Sequence, residues 1–124
     1  MRISEAESVV MEVLWRRHTP QSAEDIFAAA AAAQEWQEAT VKTLLNRLLK
    51  KKAIAAERDG RRYLYRPLIK RSDYVHAESK NLLDRLYGGR VGALVVHFAE
   101  RMKLTNKDIA EIRALIEELD RDKR

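Results

Sequence analysis

Apolar side chains recur at helical spacing through the first fifty residues of this chain. Ala6, Val9, Val10, Val13 and Leu14 make one stripe. Ser4 and Glu7 stand ahead of it at capping-box spacing, in which each side chain satisfies a free amide at the helix start. His18-Thr19-Pro20 ends this first helix, because proline restricts the residue before it, and Trp15 is expected to close the core there. A second helix begins near Ser22, with Asp25 three residues on as cap partner and Ala23, Ile26 and Phe27 as its buried stripe. It is expected to continue through six alanines, Ala28 to Ala33, since alanine is the strongest helix former. Gln34 to Glu38 is a short connection carrying Trp36. The third helix is read over Ala39 to Lys52, with Val41, Leu44, Leu45, Leu48 and Leu49 on one apolar stripe. Thr40, Lys42, Thr43, Asn46, Arg47 and Lys50 fall on its other side.

The period then changes to two. Ile54 with Ala56, and Leu64 against Tyr63 and Tyr65, alternate as strand residues do. Asp59-Gly60 between these segments predicts a type I′ hairpin turn, with positive φ at both residues. Pro67 stops the outgoing strand. Helical spacing returns after it. Ser72 is expected to cap a segment of about fifteen residues ending at Gly88-Gly89. A second segment carries Val91, Leu94, Val95, Phe98 and Met102. Thr105 with Asp108 opens a final helix bearing Ile109, Ile112, Leu115, Ile116 and Leu119. The all-charged end, Asp120 to Arg124, is expected to fray.

Three helices followed by a tight hairpin make a winged helix-turn-helix. The expected fold is therefore mainly α with a small β-hairpin: a winged-helix domain over residues 1–71, then a helical dimerisation region over 72–124. Charge sharpens the picture. Residues 1–41 hold three basic and seven acidic side chains, whereas residues 42–71 hold eleven basic and two acidic. An excess of that size, placed on the third helix and the hairpin, attracts a polyanion. In a winged helix the third helix enters the major groove of double-stranded DNA. Arg47 is suited to a bidentate contact with guanine and Asn46 to adenine, while Thr40 and Thr43 offer hydroxyls or a methyl to thymine. Lys42 and Lys50 suit phosphates, which position a protein without reading sequence. Arg58, Arg61 and Arg62 make the hairpin tip cationic. The free amides near Ser22 are a weaker phosphate site, because Glu24 and Asp25 lie beside them. Tyr63 and Tyr65 are expected to pack the wing onto the helices.

Residues 72–124 carry ten basic and ten acidic side chains. Leu82, Leu83, Leu86, Leu94, Val95, Phe98, Ile109, Ile112, Leu115, Ile116 and Leu119 are more apolar positions than three short helices can bury among themselves. Pairing with a second copy would bury them and hold two recognition helices about 34 Å apart on a pseudo-palindromic site. A homodimer is therefore expected.

Other classes find little support. The chain has no cysteine, so disulfides, thiol catalysis and thiolate metal sites are excluded. No apolar run approaches the roughly 18 residues that span a bilayer, and MRISEAESVV reads as neither a signal nor a transit peptide; a cytoplasmic location without membrane insertion is expected. No phosphate loop, dinucleotide fingerprint, zinc-protease motif or serine elbow is present, and His18, His76 and His97 lack ligand spacing. The expectation is no catalysis, no cofactor and no metal. Two alternatives keep the fold and change the partner. A protein-interaction adaptor would shift no duplex even at low salt, and an RNA-binding module would prefer single strands or hairpins.

ISEAE near the start, then VLW, ATVKTLLNRLLKKKAI, GRRYLYRPLI and LLDRLYGG, taken together and in this order, resemble the penicillinase and methicillin-resistance repressor family. The likeness runs over essentially the whole chain. It implies a homodimeric winged-helix repressor on a palindromic operator upstream of β-lactam-resistance or stress genes. It further implies relief of repression by a membrane-bound sensor metalloprotease that triggers a cut in the dimerisation region. Family members are cut between an asparagine and a phenylalanine; the matching stretch here, LVVHFAE, has His97 and Phe98. Lys52 stands where relatives often carry glycine, which implies a left-handed residue there at a cost of roughly 1 kcal/mol. The copper-responsive branch of the family carries C-terminal cysteines, and this chain has none.

Overall fold

A computed structural model describes residues 2–123. In chain order the elements are α1 (Glu5–Arg16), β1 (Gln21–Ser22), α2 (Ala23–Ala31), α3 (Glu38–Lys50), β2 (Ile54–Asp59), β3 (Arg62–Pro67), α4 (Arg71–Tyr87), α5 (Val91–Arg101) and α6 (Asn106–Asp122). The chain divides into two units, residues 1–75 and 76–124.

The first unit is built where the hydrophobic pattern puts it. Capping boxes open α1 and α2: the Glu7 amide donates to Ser4 Oγ at 3.1 Å, the Ser4 amide to Glu7 Oε1 at 3.0 Å, and Ser22 and Asp25 make the same exchange. Val10, Met11, Leu14, Ile26, Val41, Leu45 and Leu48 are fully buried in one core. Met11 takes an inward position that the stripe assigned to Val9, which is only half-buried. Two other expectations change. α2 stops at Ala31, so Ala32 and Ala33 are not helical. Their amides lie beyond the last buried residue, Ala30, and alanine brings propensity but little area to bury. Ala56 is exposed, because the hairpin leaves the core after Ile54.

The sheet has a third strand that no periodicity announced. β1 is two residues long and pairs antiparallel with β3 through Gln21 opposite Tyr65 and Ser22 opposite Leu64, giving the order β1-β3-β2. Gln21 is buried, and its Nε2 donates to the Val13 carbonyl at 3.0 Å. This ties the end of α1 to the root of the hairpin. The turn also sits one residue further along than expected. Asp59 pairs with Arg62, so the two turn residues are Gly60 and Arg61. Only Gly60 has positive φ, +66°, which is the type II′ pattern with glycine first rather than the expected Asp-Gly type I′. The shift lets the Asp59 carboxylate face Arg62 at 3.4 Å.

At the end of α3 the Lys52 amide donates to the Leu49 carbonyl and the Ala53 amide to the Leu48 carbonyl, both at 3.0 Å. This is a Schellman closure, which needs a left-handed residue at Lys52, and Lys52 has φ +61°. Lysine pays a steric cost there that glycine does not. Lys52→Gly is expected to raise stability by up to about 1 kcal/mol, read as a higher midpoint in urea with unchanged slope.

α4 starts at Arg71, so Ser72 lies within its first turn instead of capping it. Arg71 Nε reaches both Glu12 oxygens, at 3.0 and 3.2 Å, and Tyr74 stacks on Trp15 with centroids 5.4 Å apart. These contacts hold the first turn of α4 on the first unit. Trp15 is partly buried and its Nε1 donates to the Ile69 carbonyl at 2.9 Å, closing the core at that end as expected.

In the second unit α4 ends where Gly88 and Gly89 take φ +58° and +78° and the Gly89 amide donates to the Leu83 carbonyl at 3.1 Å. Thr105 and Asp108 form a third capping box, opening α6. α6 runs to Asp122, past the point where fraying was expected; Glu117 and Arg121 lie at the favourable acid-before-base spacing. Arg124 lies outside the described residues. None of the three helices buries a residue within this unit.

Candidate nucleic-acid interface

The buried stripe of α3 fixes what its opposite side can do. With Val41, Leu44, Leu45 and Leu48 in the core, Thr40, Lys42, Thr43, Asn46, Arg47 and Lys50 are all exposed. Among the described residues, Thr40, Lys42, Asn46, Arg47 and Lys50 make no side-chain hydrogen bond or ion pair. Thr43 differs: its Oγ1 donates to the Ala39 carbonyl at 3.0 Å. Its proton is spent on the helix, so the side chain offers lone pairs and a methyl, not a donor.

The wing places its three arginines unequally. Arg58 Nε donates to the Gly60 carbonyl at 3.1 Å, and its guanidinium lies 5.9 Å from the centre of the Tyr63 ring. Arg62 faces Asp59. Arg61, at the second turn position, has neither a hydrogen bond nor an ion pair among the described residues and is the cation most free to meet a phosphate. The two tyrosines also part company. Tyr65 packs on the core, and burial, with Tyr63 close by, pushes its hydroxyl pKa up. Tyr63 is 49% exposed, so it does not pack the wing onto the helices as expected.

A cleft of about 290 Å³ joins the start of α2, the first turns of α3 and the wing. Its lining includes Ser22, Glu38, Lys42, Arg61, Arg62 and Tyr63. The amides near Ser22 do not stand ready there. The Asp25 amide is held by Ser22 Oγ, and the Ser22 amide donates to the Asp25 carboxylate at 3.3 Å; hydrogen bonds from the Ser22 amide and side chain, then Arg17 and Arg62, keep Asp25 below its ordinary pKa.

Two charged residues of this unit escaped sequence reasoning. Glu38, at the end of the expected connection, is the first residue of α3 and lines the cleft; an acid before the apolar run is the available signal. Lys51, in a run of three lysines at the C-terminal end of α3, where cations are generally favoured, turns back towards α1. Its Nζ donates to Glu7 Oε1 at 2.6 Å and to the Arg2 carbonyl at 2.7 Å. Nothing local signals a contact 44 residues apart.

His97 and Phe98 lie on α5, both exposed, with ring centres 5.3 Å apart; Tyr87 lies 5.8 Å from His97. No helix among the described residues is long and apolar enough to cross a membrane.

Comparison with known proteins accords with this arrangement. The family model described as Penicillinase repressor matches residues 3–118. The penicillinase repressor of Bacillus licheniformis is 33% identical over 117 residues, covering 94% of this chain and 91% of that protein. The methicillin resistance regulatory protein MecI of Staphylococcus aureus is 32% identical over 114 residues, covering 92% of each. Among solved structures, the Bacillus licheniformis BlaI monomer in complex with the blaP half-operator superimposes with a TM-score of 0.52 at 34% identity, over 60% of this chain and 89% of that one. With the winged-helix unit, the cationic α3 face and a match along nearly the whole length in hand, the chain belongs to the penicillinase repressor family.

Proposed function

We propose that this protein is a DNA-binding transcriptional repressor that acts as a homodimer on a two-fold symmetric operator. One observation carries the reading: the polar side of α3 stands open, its cations unpaired among the described residues, on the same unit as a wing whose turn presents Arg61, likewise without a partner among them. Membership of a repressor family makes the chain a regulator and not an enzyme. Arg47 and Asn46 read base edges, Thr40 contacts bases through its hydroxyl or methyl, Thr43 as an acceptor or through its methyl, and Lys42, Lys50 and the wing arginines hold phosphates.

The second unit supplies the pairing. Leu82, Leu86, Phe98, Ile109, Leu115, Ile116 and Leu119 are each more than a third exposed in the single chain. Val95, Leu104, Ile109, Ile112 and Ile116 line an apolar groove of about 290 Å³. Equal numbers of acids and bases over residues 72–124 let a second copy approach without net repulsion. Leu83 and Leu94, half-buried beside His76 and Val91, belong to the same apolar set. Kinship with penicillinase and methicillin-resistance regulators supports β-lactam-resistance or related stress genes as targets. It also supports relief by a membrane-bound sensor metalloprotease, with a cut at His97–Phe98 that would fall within α5 and part Val91–His97 from the rest of that helix and α6.

Selection of bound duplexes from a random pool tests the reading, with a palindrome as the expected product. On that site Arg47→Ala should lose about 5- to 100-fold in affinity and much less on random duplex. Arg61→Ala should weaken both alike and reduce the salt dependence by about one counterion. Equal losses for both variants on both duplexes would count against the assigned roles.

A further inference from the structure

The exposed side of α3 carries three cations, Lys42, Arg47 and Lys50, and α3 contains one acid. Glu38 opens the helix as its first residue and lines the cleft together with Lys42, Arg61 and Arg62. It stands four residues before Lys42, the spacing at which a glutamate and a lysine pair well on a helix. Even so, Glu38 makes no ion pair and no side-chain hydrogen bond among the described residues. A capping role is also absent, since Gln37 precedes α3 and no side chain caps it. The carboxylate is exposed and unspent beside three cations.

Facing a duplex, such a group is a liability against phosphates, which repel it whatever the sequence. It can be satisfied only by a donor. In the major groove donors are the exocyclic amines, and cytosine N4 is the partner a carboxylate suits; adenine N6 stands beside the N7 acceptor, and guanine and thymine present acceptors that repel a carboxylate. The first turn of a recognition helix is the part that meets base edges. We propose that Glu38 is a specificity determinant, accepting a hydrogen bond from cytosine N4 at one position in each half-site and penalising every other base there. This rests on the reading of α3 as the recognition helix. It makes the same residue lower affinity for random DNA and raise selectivity.

The test is a comparison of the full-length protein with E38A and E38Q, each titrated against duplexes carrying all four bases at every half-site position, at one salt concentration. The wild type should prefer cytosine at one position per half-site by about tenfold. E38A should lose that preference alone while binding random duplex a few-fold more tightly, and E38Q, which can donate and accept, should move the preference to adenine. If E38A tightens binding to every sequence by one factor and leaves the base profile intact, Glu38 is merely a repulsive charge and the proposal fails. A wild type that selects a site whose profile neither variant alters overturns the role of Glu38 and leaves the recognition helix standing. A wild type that selects no sequence overturns both.

Discussion

Lys51→Ala is expected to lower the stability of the winged-helix unit by about 2–3 kcal/mol at neutral pH. The Glu7 side chain is only 2% exposed, and one of its oxygens has no hydrogen-bond partner. The other is held by Lys51 at 2.6 Å and by the Ser4 amide. Removing one partner of a buried pair leaves a desolvated charge, typically a loss of 3–5 kcal/mol. Lys51 is one-third exposed, so part of that is screened and the lower figure applies. For a unit of this size the midpoint should fall by roughly 8–24 °C. Burial by itself would raise the Glu7 pKa, but hydrogen bonds from Lys51 and Ser4 outweigh it and hold the carboxyl below its ordinary value. Its contribution is therefore complete above the ordinary carboxylate range and is lost as pH falls through the folded value. Without Lys51 the burial effect dominates, the folded carboxyl takes up a proton more readily, and the gap between variant and wild type should narrow from pH 7 towards pH 4. Melting curves at several pH values check this. Equal midpoints at pH 7 would mean that the pair contributes nothing.

Ile116→Asp is expected to dissociate the proposed homodimer with little effect on either unit's folding. Ile116 is 52% exposed in the single chain and lines the apolar groove of the second unit. An aspartate there meets water in the monomer, where exposed substitutions usually cost within about 0.5 kcal/mol. In a two-fold interface the same change appears twice and buries two like charges without partners. A loss of about 3 kcal/mol or more weakens association at least a hundredfold. Sedimentation at micromolar concentration should then show a 14.4 kDa species in place of the pair. Affinity for the palindrome should fall while affinity for an isolated half-site holds. A variant that still sediments as a dimer would move the interface elsewhere, and a wild type already monomeric would remove the dimer from the proposed function.

Both predictions turn on residues whose importance differs in how it could be read. The apolar stripe containing Ile116 is visible as spacing alone: residues 109, 112, 115, 116 and 119 share one side of any helix drawn through them. The same local logic located the α3 stripe, the three capping boxes and the wing, because each depends on residues three, four or two positions apart. The cationic face of α3 follows by elimination, since a helix with one side in the core must show the other.

What spacing could not supply was everything decided by residues far apart in sequence. β1 exists only because β3 comes back to pair with two residues that have no periodicity of their own. The wing turn slipped by one residue because strand register is set by pairing along its whole length, which outweighs a local Asp-Gly preference. α2 ended early because alanine propensity without burial does not sustain a helix. Lys51 found Glu7 across 44 residues, and Arg61, not Arg58 or Arg62, was left free by contacts made within the folded hairpin. Local side-chain chemistry thus determined which elements form and which faces they show. Only the packed chain decided which charges on those faces are already engaged and which remain available to a partner.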